Sequence, residues 1–156
     1  MKDIFIDNNI AKNFSNPIDK EYQKLIRWLK TNDKDNPENN AFLVVSKKLI
    51  GEYLRSSATA HSNTSIPSII DFLTRENRLN RISNEMIKDF KRIHFTKKNM
   101  KKLKSNNEDR EHIPVVLLSF RKFALCLDNK FIEDLSSFSG FTVRVEKRPE
   151  KLDYNN

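Results

Sequence analysis

A chain of 156 residues suits one domain with a sizeable core, and its 2 glycines exclude a Gly-rich phosphate loop and argue against a hairpin-rich all-β fold. With 29 Lys and Arg against 21 Asp and Glu, the formal net charge is +8, a balance that favours a polyanionic partner, nucleic acid first, with solubility as the plain alternative. The single Cys126 excludes an internal disulfide, no stretch approaches the ~20 apolar residues of a membrane span, and the N-terminus lacks the apolar block of a signal peptide, so a cytoplasmic setting is expected.

Residues 3–6 read as a first strand that runs into "DNN" at Asp7, Asn8 and Asn9. In residues 16–30, Asp19 can cap a helix in which Tyr22, Leu25, Ile26 and Leu29 recur at helical spacing. A polar loop precedes the β-branched run "AFLVVS", 41–46, which predicts strand two, and residues 47–57 predict the helix after it. Residues 58–65 read as a polar connector. Helices are expected over 67–77, where Pro67 suits a helix start, and over 82–95. Residues 91–104 hold seven Lys or Arg and no acid. Residues 105–120 read as a loop and then a helix, 122–127 as strand three, 128–138 as a short helix and 141–146 as a last strand. Residues 1–148 thus read as one domain, followed by a polar tail over 149–156 that is expected to fray. Strands alternating with helices predict an α/β fold with a mainly parallel sheet, and in such sheets sites form outside the carboxyl ends of the strands.

Four acids are expected at that edge. Asp7 follows strand one and Asp128 follows strand three; Glu52 lies one or two turns into the helix after strand two, and Asp109 lies where the helix before strand three begins. Each has a plain structural reading as well: Asp7 as a strand-end turn residue, Glu52 as a solvated helix residue, Asp109 and Asp128 as helix caps. Convergence of four carboxylates is costly without a cation. Hard oxygen ligands suit Mg²⁺ or Mn²⁺, and a divalent ion among them can activate water and stabilise a phosphodiester in transition.

These residues resemble the PIN-domain family of nucleases. "IFIDNN" is similar to the family's opening strand with its Asp-x-Asn, here Asp7 and Asn9. "LVVSKKLIGEYL" resembles its second strand and helix, with Ser46 before the turn and Glu52 as the acid. "DREHIPVVLLSFRKFALCLDNKFIEDL" resembles its third acid, helix, strand and fourth acid, with Asp109 and Asp128 at the matching ends and Glu111 as the fallback should the register shift. The resemblance implies a three-layer α/β/α sandwich, metal-dependent cleavage of RNA, and Asp7, Glu52, Asp109 and Asp128 as metal ligands, with Asn9 and Ser46 supporting them. Many compact members are ribonuclease toxins held by an antitoxin protein, and members often pair as homodimers, so both are expected partners; DNA remains open as the polymer. Cys126 and Asn129 depart from the family pattern, where Thr or Ser and a further acid are common. A module of the same fold that binds nucleic acid or protein without cleaving is therefore the alternative.

The basic run supplies the phosphate-binding candidates Lys97, Lys98, Lys101, Lys102 and Lys104, joined by Arg110, against a plain reading as a solvated helix face. His112, one turn after Asp109, can orient a ligand or pack. His61 and His94 have no partner at metal-ligand spacing, so a zinc site built on histidines is not expected. Trp28, Phe90 and Cys126 are expected to be core residues.

Overall fold

A computed structural model describes residues 1–57 and 62–156. Five strands, β1 (Lys2–Ile6), β2 (Ala41–Val45), β3 (Leu79–Arg81), β4 (Phe123–Leu125) and β5 (Arg144–Glu146), form one sheet in the order β3-β2-β1-β4-β5. Every pairing is parallel, with Lys2 opposite Ala41, Leu43 opposite Leu79, Phe5 opposite Ala124 and Phe123 opposite Arg144. The expected three-layer α/β sandwich is therefore the observed fold. The central β1 is covered on both faces, which explains why Ile4, Phe5 and Ile6 form an unbroken apolar run with no exposure at all.

Helices α1 (Asn8–Ala11), α2 (Lys20–Lys30), α3 (Lys47–Ser56) and α4 (Ile66–Arg75) connect β1 to β2 and β2 to β3. The connection then crosses back to the other side of β1, through α5 (Asn84–His94), α6 (Lys97–Lys102), α7 (Asn107–Arg110) and α8 (Ile113–Leu118), and α9 (Asn129–Ser137) joins β4 to β5. Right-handed crossovers running in opposite directions from β1 place the two sets of helices on opposite faces. Accordingly α2 and α3 both pack on α4, while α8 packs on α5 and α9.

The strand β3 is the element the sequence reading lacks. It is three residues long, "LNR", with a polar residue at its centre, and it pairs only with β2 at the sheet's edge. The helix expected within 105–120 is split into α7 and α8. Pro114 stands in the first turn of α8 and has no N–H with which to continue α7. The last strand is shorter than expected and begins at Arg144.

The stretch 149–156, expected to fray, packs instead. Pro149, Leu152 and Tyr154 are buried, and the Tyr154 ring lies 4.9 Å from that of Trp28. Arg148 clamps the carboxylate of Asp19, the cap of α2, through both guanidinium ends at 2.6 and 3.0 Å. Phe90 and Cys126 belong to the core as expected, Trp28 is half-buried against it, and His94 packs on Phe90 and edge-on against Phe141. No helix among the described residues is long and apolar enough to cross a membrane.

Candidate metal centre

Asp7 both ends the central strand and caps the helix after it. Its backbone continues the β1–β4 ladder, donating to the Leu125 carbonyl at 2.9 Å, so the residue is fixed at the carboxyl edge of the sheet. Its side chain caps α1, with Oδ1 accepting from the Asn8 N–H at 3.0 Å. The other oxygen, Oδ2, lies 3.6 Å from the Cys126 thiol. Burial raises the Asp7 carboxyl above the usual range, and His112 nearby opposes the rise.

Ser46 ends β2 and caps α3, accepting from the Leu49 N–H at 3.1 Å. That cap sets the start of α3 and hence the rotation at which Glu52, six residues on, projects. Lys48 lies one turn before Glu52, with Nζ 4.0 Å from Oε1, and also pairs with Glu108, which ties α3 to α7. Sequence spacing could have found Lys48, since Lys and Glu at i, i+4 face each other on a helix. His112, at the start of α8, is buried against the Phe5 ring. Its Nε2 lies 3.0 and 2.9 Å from the two oxygens of Glu52.

One ligand atom from each of Asp7, Glu52 and His112 falls within 4.8 Å of the others. Three segments far apart in the chain meet here because β1, α3 and α8 all present their relevant ends to one edge of the sheet. His112 is thus a member of the cluster itself, beyond the supporting place its spacing indicated.

Asp109 and Asp128 lie in an adjoining cavity of about 410 Å³, lined also by Lys104, Asn106, Asn129 and Lys130. Asp109 does not cap α7; Asn106 does, accepting from the Asp109 N–H at 2.9 Å. Burial first, then the negative charges of Asp7 and Asp128, push the Asp109 carboxyl up. Asp128 is the cap of α9, accepting from the Phe131 N–H at 2.9 Å. Cys126 links the two groups: its sulfur accepts from the Asp128 N–H at 3.3 Å while its thiol faces Asp7. Burial and the charge of Asp7 push the Cys126 thiol up, so it stays neutral and adds no charge to the acids.

The remaining candidates are dispersed. Asn9 lies in α1 with Oδ1 buried and, among the described residues, without a donor. Glu111 pairs with Lys91 and is not among the three cluster residues. Arg110 spends its guanidinium on the carbonyls of Ser105 and Leu103, at 2.9 and 3.1 Å, and so stabilises the turn before α7. Lys104 pairs with Glu133 at 2.7 Å. Lys97, Lys98, Lys101 and Lys102 are exposed on α6 and, among the described residues, lie in no ion pair. His61 lies outside the described residues. Comparison with family models, with curated proteins and with solved structures finds no match to the chain.

Proposed function

We propose that the protein is a metal-dependent endoribonuclease of PIN type, with Asp7, Glu52 and His112 holding a Mn²⁺ or Mg²⁺ ion. The observation that carries this reading is the meeting of two carboxylates and an imidazole within 4.8 Å. The donor set fits such an ion: carboxylate oxygens suit Mg²⁺ and Mn²⁺, and the imidazole tips the choice toward Mn²⁺. The ion supplies Lewis acidity toward a phosphodiester. The chain's own residues do the rest. Asp109 and Asp128 bound the cavity in which the scissile phosphate lies, and Lys130 at its rim faces the phosphate oxygens. Asp109, its carboxyl raised by burial and by the charges of Asp7 and Asp128, is the group placed to exchange a proton with the attacking water or the leaving oxygen. The exposed lysines of α6 hold the polymer. Such an enzyme belongs in the cytoplasm, where RNA is its substrate, and a toxin role adds an inhibitory protein as partner.

The test is cleavage of an end-labelled RNA by the purified protein with Mn²⁺, alongside a chelator control. Asp7→Asn should lower the rate by about 100-fold or more, the loss of roughly 3 kcal/mol of charge stabilisation. Absence of cleavage, or equal cleavage by the variant, refutes the reading. A second reading, a binding module without catalysis, is favoured by the contact of His112 with both oxygens of Glu52, which already satisfies that carboxylate without an ion. RNA binding with no thermal response to Mn²⁺ would select it.

A further inference from the structure

A second cavity, of about 340 Å³, opens at the same edge of the sheet between the starts of α3 and α5. Its floor is apolar: Val45 and Ile82 are buried at the ends of β2 and β3, and Ile50 is half-buried on α3. Lys47 and Arg81 stand exposed on its walls. Among the described residues neither is in an ion pair, and no carboxylate lines the cavity. Ser83 and Asn84 add a hydroxyl and an amide at the rim.

We infer that this groove takes one nucleotide of a nucleic-acid strand, next to the nucleotide whose phosphate is cut; the position relative to the cut rests on the nuclease reading. An apolar floor accepts the face of a base, two unpaired cations accept its phosphate, and a hydroxyl and an amide can read a base edge. The absence of acids selects an anionic occupant over an apolar peptide. The sheet order places the groove between β2 and β3, one and a half strand spacings, about 7 Å, from the line of β1 that carries Asp7. That is of the order of one nucleotide step. The same helix, α3, carries Ile50 in the groove and Glu52 in the cluster, so the two sites move as one body. Only an unpaired base can lay its face on the floor, so Ile50 and Ile82 set the preference for the base beside the cut.

The experiment measures binding of a labelled single-stranded oligoribonucleotide to Asp7→Asn protein in the absence of metal, with and without Lys47→Ala/Arg81→Ala, across a salt series. The double variant should bind about tenfold more weakly, and its salt slope should fall by about 0.7, the one phosphate that the two cations share. Ile50→Ala in the otherwise natural chain should relax the base preference at one position beside the cleavage site. Unchanged affinity and salt slope in the double variant overturn the groove, even where Asp7-dependent cleavage is found. A weakened double variant supports the groove even where no cleavage is seen, which is the outcome that refutes only the nuclease reading. Equal binding of the deoxy analogue assigns the groove to base and phosphate; weaker binding adds a contact to the 2′-hydroxyl, and both retain it.

Discussion

The imidazole Nε2 of His112 reaches both oxygens of Glu52, at 3.0 and 2.9 Å, across the interface between α3 and α8. The contact joins the two helix layers over the end of β1, and the ring also packs on Phe5. His112→Ala should cost about 2–4 kcal/mol through the cavity left and the lost bond. It should also shrink the thermal stabilisation gained from Mn²⁺, measured by melting with and without the ion. A variant of undiminished stability and metal response would show the contact to be incidental.

Asp7 is held at the sheet edge with its carboxyl raised by burial, so its charge opposes folding at neutral pH. Asp7→Asn keeps the oxygen that accepts from Asn8 and removes the charge. In chelator the variant should be more stable than the natural protein by about 1 kcal/mol while cleavage is lost. Urea unfolding at pH 7 decides; a less stable variant contradicts the role of burial.

The carboxyls of Asp7 and Asp109 are both raised, each by burial first. Without metal, each contributes stability that is complete below the ordinary carboxylate range and is lost as pH rises through the raised folded value. Protons therefore compete with the ion in mildly acid solution. Mn²⁺ affinity should be about tenfold weaker at pH 5 than at pH 7.5, read by calorimetry. A pH-independent affinity would remove Asp7 from the ligand set.

Asp134 is buried on α9 and accepts from the N–H groups of Lys104 and Ser105, both at 2.9 Å, and from the Ser105 hydroxyl at 2.5 Å. The turn it holds leads into α7 and Asp109. Asp134→Ala leaves those backbone donors unpaired and should cost about 3 kcal/mol. Cleavage should fall even at temperatures where the variant is folded, and full activity there would detach the turn from the site.

Leu152 is fully buried beside α2, and Leu152→Ala should cost about 2–4 kcal/mol in urea unfolding. A change below about 1 kcal/mol would mean the last residues contribute little to the fold.

Much of the arrangement was readable in advance, for physical reasons. β1 and β2 announce themselves because central parallel strands are apolar on both faces, and Asp7 stands out because it directly follows β1. β3 was not readable: three residues with a polar centre, half-buried at an edge, carry no periodicity. The packing of residues 149–156 was missed because "KRPEKLDYNN" is polar on average, while Leu152 and Tyr154 alone supply its buried contact. Spacing put His112 near Asp109, yet its nearest carboxylate is Glu52, 60 residues away, and only the pairing of α3 with α8 across the sheet edge brings them together. Spacing also could not show that Arg110 turns back onto its own loop.

The middle strand, β1, takes one neighbour from early in the chain and the other, β4, from late in it. On the ribosome, β1 and β2 emerge long before Leu125, Cys126 and Asp128 exist to close on Asp7, and such non-local pairing is slow to form. A nascent or proteolytically shortened polypeptide that stops short of β4 therefore lacks the Leu125 carbonyl that fixes the Asp7 backbone at the sheet edge.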